Sequence, residues 1–243
     1  TLNIINFSST FSNDFSSMPK VVTEGRRVIN NIERVSSLFL TKTVFTLFLA
    51  IMALFRQGQY PITPIQLNLI EFFVIAFPSF VLALEANPNR VQGNFLANVM
   101  KQALPGAIVV LINSLIIFGM ANELGYSDNK TIISTLIVLS ATFTLFMVLL
   151  KISLPFNNRR LILFASMLGL ALLIVLINPL MFEFAPFYSS TDFPNAQPLS
   201  VPQILLLVTL MQAAYPLIYV TTNLYRWIKM LVKSIMDMIA DAN

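Results

Sequence analysis

Apolar residues run almost unbroken through six stretches of this chain, and polar residues gather between them. The stretches cover about 37–55, 65–85, 104–122, 131–153, 161–182 and 202–222. Each approaches the roughly 20 residues a helix needs to cross the hydrocarbon of a bilayer. Charge or turn residues bound them: RQGQYPITP at 56–64, EANPNRVQGN at 85–94, NELGYSDNK at 122–130, PFNNRR at 155–160 and APFYSSTDFPNAQP at 185–198. The runs are continuous rather than alternating with period two, which argues against barrel strands. Backbone polar groups cannot stay unpaired in hydrocarbon, so each span is expected to be helical. The predicted fold class is an all-α membrane protein with six transmembrane helices.

The first of these helices is expected to extend into the cytoplasm. The stretch VVTEGRRVINNIERVSSLFL at 21–40 has no Pro after Pro19 and a single Gly. Asp14, Ser16 or Ser17 could cap its start. The pattern predicts one helix of about 35 residues, roughly 50 Å long at 1.5 Å per residue. Such a helix can carry motion from a soluble domain into the bilayer. The plainer reading is a juxtamembrane helix with basic anchors. At the other end, Ile228, Leu231, Val232, Ile235, Met238 and Ile239 recur at helical spacing within 226–243. That tail is expected to lie as an amphipathic helix along the inner membrane surface.

Composition makes lipid the solvent. Hydrophobic residues are 56% of the chain and charged residues 11%, against about 25% charged in soluble domains. There is no Cys and no His, which excludes disulfides, thiolate zinc sites and imidazole catalysis within the chain. Orientation follows from Lys and Arg. One side would hold Lys20, Arg26, Arg27, Arg34, Arg90, Lys101, Lys151, Arg159, Arg160, Arg226, Lys229 and Lys233, and the other only Arg56 and Lys130. This bias puts both ends in the cytoplasm. Glu123, Asp128, Glu183 and Asp192 fall in the outer loops, most simply as solvated charges. No basic block is long enough to track nucleic acid. Residues 1–20 have neither the basic start nor the apolar core of a signal peptide, and there is no initiator Met. The chain is therefore expected to start mid-protein.

Candidate chemistry sits inside the first two spans. Intramembrane ionisable groups are costly and usually functional. Lys42 lies in LTKTVFT (40–46) and Glu71 in LNLIEFFVIAFP (67–78). Counted from the span ends, their depths differ by about 10 Å. A Lys side chain reaches less far than that, so a direct ion pair stays open. Thr41, Thr43, Thr46 and Asn68 surround them with the hydroxyl and amide oxygens that suit hard cations. Thr43 and Thr46 share a face. The plainer reading of each Thr is a hydroxyl bonded back to its own helix. Pro78 interrupts the second span and frees a carbonyl, either for an ion site or for packing alone. Pro179 and Pro216 read as a helix end or kink. Phosphate-cradling Gly loops and nucleophile–base pairs are absent, so the chain by itself is not a complete enzyme.

The stretch FSSMPKVVTEGRRVINNIERVSSLFLTKTVF (15–45) resembles the junction between the phosphorylation domain and the fifth transmembrane helix of P-type cation-transporting ATPases. Its Glu24, Gly25 and Arg26, followed by Asn30 and Asn31, are close to the family pattern. LALEANPNRVQGNFL (82–96) resembles the sequence after the sixth helix, in the bacterial calcium- or cation-pump branch. The resemblance covers about 15–105 and beyond that rests on hydropathy. It implies that residues 1–20 end the phosphorylation domain, that 21–225 form the family's helices five to ten, and that 226–243 are a cytoplasmic tail. Glu71 then stands where calcium and sodium pumps have an ion-binding Asn or Asp. LTKT at 40–43 places Lys42 where the proton–potassium pump has the Lys of its LTKN motif. Thr43 and Thr46 stand where calcium pumps have Asn and Glu ligands. The chain departs from those pumps in lacking a carboxylate in the first span and in having Ile75 and Ala76 in place of an Asp-Gly pair. The motifs DKTGT, TGE and GDGxND are absent, so ATP and Mg would serve the full-length protein and no cofactor belongs to this chain.

The function this implies is the transmembrane ion pathway of an ATP-driven pump, with ion binding between the first two spans. Its partners would be the bilayer, calcium or another cation, and the remaining parts of the same pump. The expected location is a bacterial plasma membrane. The alternative is a self-standing six-helix secondary transporter or channel, and a purely structural membrane subunit is a third reading.

Overall fold

The computed structural model describes residues 18–55, 60–85, 93–154, 157–189 and 196–241. The suggested caps Asp14, Ser16 and Ser17, the outer Arg56 and Asp192, Arg90, and most side chains of the tail lie outside the described residues. Six helices are long and apolar enough to cross a membrane. They are α1 (Met18–Phe55), α2 (Pro64–Ala83), α3 (Phe95–Gly119), α4 (Lys130–Ile152), α5 (Asn158–Ile177) and α6 (Val201–Asp241). Among the described residues there is no strand.

The helix starts are written in the sequence as Asn. Asn94, Asn129 and Asn157 accept from the backbone N–H groups of Leu96, Ile132 and Arg160, at 3.0, 3.1 and 2.8 Å. Each thereby satisfies one of the orphan donors of a helix N-terminus. Asn94 starts α3 nine residues before its apolar run, so Lys101 and Pro105 lie inside the helix. At the other extreme, α5 ends at Ile177, and Pro179–Phe182 forms a 3₁₀ turn. Pro216 sits within α6, and the backbone of α6 continues unbroken through 226–241. α1 is one helix of 38 residues, about 57 Å long.

The helices alternate in direction. Glu33 meets Asn98 and Ser37 meets Gln102, each 65 positions apart, so α1 and α3 run parallel. Asn31 meets Ala83 and Lys42 meets Glu71, so α1 and α2 run antiparallel in nearly constant register. Lys151 donates to Thr222 at 2.6 Å, which pairs the end of α4 with the inner turn of α6. One end of the bundle thus gathers the start of α1, the end of α2, and Lys101, Lys151, Arg159 and Arg160.

The centre is α4. Of its most apolar 18-residue window 94% is buried by protein, so it meets helices rather than lipid. Its hydroxyl protons stay within the helix: Thr135, Thr142 and Thr144 donate to the carbonyls of Thr131, Val138 and Ser140. Back-bonding of this kind lets hydroxyl residues sit in an apolar interior. Helix α3 approaches both α1 and α4 at Gly106. A Cβ there would stand 2.5 Å from Val148 Cγ2 and 3.1 Å from Thr41 Cγ2, so only Gly allows the three helices to meet so closely.

Candidate ion-binding site

The site is built where α2 changes pitch. Pro78 has no N–H to give the carbonyl of Val74, and its ring would crowd that carbonyl in an α-helix. The helix widens upstream instead. Glu71–Ala76 forms a π-helical segment, and α-helix resumes at Phe77 with Pro78 in its first turn. Segments of this kind recur at functional sites. Glu71 is the first residue of the widened turn.

The ammonium of Lys42 on α1 pairs with the Glu71 carboxylate. The depth offset expected from the span ends disappears because the two helices are staggered. Tyr60, just before α2, reaches the carbonyl of Thr46 at 3.4 Å. The last turns of α1 therefore overhang α2, and Leu54 and Phe55 are exposed. Glu71 consequently lies level with Lys42. The Lys42 side chain is 22% exposed and that of Glu71 50%, so the carboxylate opens toward the outer surface of the bundle.

Asn68 lies one turn before Glu71 on the same exposed side of α2, and Thr43 is exposed beside Lys42 on α1. The Thr43 hydroxyl donates to Phe39 O at 2.9 Å, and that of half-buried Thr46 to Lys42 O and Thr43 O at 3.0 Å. These hydroxyls spend their protons on the helix, and each oxygen keeps lone pairs that could face a cation. Thr41 does not join them. It is buried against α3 and donates to Ser37 O and Ala103 O at 2.7 and 3.3 Å. Among the described residues no cluster of three or more carboxylates is available to a metal. Among the described residues the structure brings Lys42 and Glu71 into contact, while Asn68 lies within a turn of Glu71 on α2 and Thr43 and Thr46 within about a turn of Lys42 on α1.

Both ends of α2 are tied down. At the basic end, buried Asn31 donates to Ala83 O and Glu85 O at 3.0 and 3.1 Å. Arg27 donates to Leu84 O at 3.3 Å while pairing with Glu24. Asn31 is thus a clamp from the long helix onto the end of α2. Gly25 and Arg26 are exposed on the free part of α1, and nothing stands within 4 Å of a Cβ at Gly25. Asn30 is half-buried.

At the other end sits Gln66, which the sequence reading missed. It is buried, its Oε1 accepts from Thr63 N at 3.1 Å, and its Nε2 donates to Ser134 Oγ and Glu183 O at 2.8 and 3.1 Å. Glu183 has a left-handed backbone (φ 56°), and its carboxylate accepts from Thr63 Oγ1 at 3.0 Å. This outer-loop acid, expected as a solvated charge, closes the network. Position 66 gave no signal, because a Gln at a span end reads as an interfacial residue. Replacing Gln66 with Leu leaves three polar groups short of a partner. Thermal unfolding should show a loss of about 2–3 kcal/mol; an unchanged midpoint would mean that water replaces the amide at no cost. Nearby, Tyr126 is buried and donates to Ile117 O at 2.6 Å. Burial disfavours its phenolate and pushes its pKa up to about 12, so this anchor stays protonated at neutral pH.

Six spanning helices around a buried α4, with an ion pair between two of them, define a multi-pass membrane protein. No family model matches the chain. Curated relatives do. Over 166 residues, 65% of the chain, it is 34% identical to a protein of Streptococcus pneumoniae serotype 4 named probable cation-transporting ATPase exp7. Over 181 residues, 70% of the chain, it is 34% identical to the calcium-transporting ATPase CtpE of Mycobacterium bovis. A stretch of 108 residues is 44% identical to CtpE of Mycolicibacterium smegmatis. These relatives are cation- and calcium-transporting P-type ATPases, and the longer matches cover 65–70% of this chain. The longer two of these matches span 21–23% of the relatives' own length, the extent of a membrane part.

Proposed function

We propose that the chain is the ion-pathway portion of an ATP-driven cation pump, coupling a soluble phosphorylation domain to ion binding between α1 and α2. The observation that carries this reading is the Lys42–Glu71 pair at the start of the π-helical turn. A carboxylate at membrane depth, in a locally widened helix and on the surface open to further segments, suits a binding residue better than a packing residue. Asn68, Thr43 and Thr46 supply neutral oxygens, and membrane segments outside this chain would complete the coordination. Calcium is the first cation to test, because the mycobacterial relatives are named for it. ATP and Mg would act in the soluble parts of the full-length protein, and the basic end of the bundle would face the cytoplasm.

The test is ATP-driven cation uptake by proteoliposomes holding the full-length protein, with calcium set against monovalent cations. Uptake that needs ATP supports the pump. Passive cation flux through the six-helix chain alone, with no ATP-driven uptake by the full-length protein, would establish the self-standing channel instead.

A further inference from the structure

We propose that the crevice between the end of α2 and the start of α5 binds the headgroup of an anionic phospholipid. A cavity of about 160 Å³ opens there. Val81, Leu84 and Leu163 form its apolar wall, and Glu85, Arg159 and Arg160 form its polar mouth. This combination matches the two halves of a lipid, a phosphate and the first stretch of an acyl chain.

Depth supports the assignment. Helix α5 has 20 residues, about 30 Å, which is the thickness of the hydrocarbon layer. Arg159 and Arg160 in its first turn therefore stand at headgroup level. They stand at the end of the bundle that, among the described residues, also holds Lys20, Arg26, Arg27 and Arg34 of α1, Lys101 of α3 and Lys151 of α4. Leu84 is 64% exposed, although it closes a helix in a region where lipid is the neighbour.

Charge supports it further. The Glu85 carboxylate is already committed: Arg160 Nε and Asn157 Nδ2 each donate to it at 2.6 Å. Arg160 also donates to Ser153 O at 2.9 Å. These bonds hold the Arg160 guanidinium in place and cancel one positive charge. Arg159 is exposed and makes no ion pair among the described residues. Arg34 of α1 lies within electrostatic reach of Arg160 and Glu85, and its Nη1 is buried with no hydrogen-bond partner among the described residues. The mouth is thus positive, with one Arg oriented by protein and one available to a phosphate. Basic pockets between spanning helices at this depth suit anionic headgroups.

The test uses the full-length protein in detergent, with phosphatidylglycerol and phosphatidylcholine as probes and bound lipid read by native mass spectrometry. The wild-type protein should retain phosphatidylglycerol over phosphatidylcholine. Arg159→Gln should reduce that preference by about fivefold, the usual effect of one basic residue at an anionic surface. Arg159→Lys should keep most of it. Leu84→Gln should weaken retention of phosphatidylglycerol without changing the fold, because Leu84 is exposed. Equal retention of both lipids by the wild type, or no change in Arg159→Gln, overturns the proposal. Inorganic phosphate at matched ionic strength distinguishes the sources. If it displaces the lipid fully and Leu84→Gln has no effect, the crevice is a free-phosphate site and the lipid assignment fails.

Discussion

Val28→Pro in the full-length protein should abolish ATP-driven transport while leaving ATP binding intact. Val28 lies on the exposed part of α1, ten residues into a helix that runs unbroken from Met18 to Phe55. It is half exposed and lines the crevice beside Asn31 and Ala83, so the loss of its methyl groups needs its own control. Pro at this position removes the hydrogen bond to Glu24 O and drives its ring into that carbonyl, at a cost of about 3 kcal/mol or more. The helix would kink between its free end and the Asn31 clamp. Asn31 holds the backbone at Ala83 and Glu85, and twelve residues upstream of Ala83 the same helix carries Glu71. A rigid α1 can therefore move both partners of the ion pair together, and a kinked one cannot. Val28→Ala serves as the control, since it keeps the helix and removes only exposed methyl groups. Transport by the Pro variant at the control's rate would show that α1 anchors the membrane part without driving it.

The spans were legible in the sequence because hydrocarbon imposes one rule on every helix that crosses it. All six apolar runs became helices, and the Pro-free stretch after Pro19 became part of the extension of the first, which runs from Met18 to about residue 36. A resemblance to P-type ATPases was legible in the pattern from Glu24 to Asn31, and the curated relatives are cation- and calcium-transporting ATPases. Helix ends were harder to read. Asn94 caps α3 well before its apolar run begins, because α1 supplies partners for Asn98 and Gln102 there and Lys101 can stay exposed. The stagger of α1 against α2 was not legible at all. Hydropathy reports which residues are apolar, but it fixes their relative depth only if every span starts at the same level. The overhang of α1 beyond Tyr60 breaks that assumption, and it is what brings Lys42 level with Glu71. Nor could hydropathy say that α4 is the buried centre, since lipid and protein reward apolar surface alike. Its hydroxyls, from Ser134 to Thr144, were the available hint. Pro78 announced a break, but the break is expressed upstream as a widened turn beginning at Glu71.

Glu71→Gln should cost the full-length protein most of its cation affinity. The substitution keeps the side chain's shape and one carbonyl oxygen, so the π-helical turn and its packing should persist. It removes the only carboxylate deep inside an apolar span among the described residues and leaves the Lys42 ammonium without its counter-ion. Breaking a partly buried charge pair from one side costs about 2 kcal/mol or more, so half-activation of ATPase activity should need roughly thirtyfold more cation. Lys42→Ala should behave differently. The carboxylate remains, so a cation can still bind, but the empty site loses its internal counter-charge. A proton or a second cation must then take that place, and the pH dependence of activation should change while the maximal affinity survives. The double variant Lys42→Met with Glu71→Gln separates charge balance from binding. It carries no unpaired charge, so its stability should recover relative to Glu71→Gln, and its affinity should not. Unchanged activation by cation in Glu71→Gln would reduce Glu71 to a packing residue and move the site to other segments of the pump. An affinity restored in the double variant would instead mean that Glu71 matters only for holding Lys42. The arrangement observed, a carboxylate facing outward in a widened turn with an ammonium beside it, predicts neither of those results.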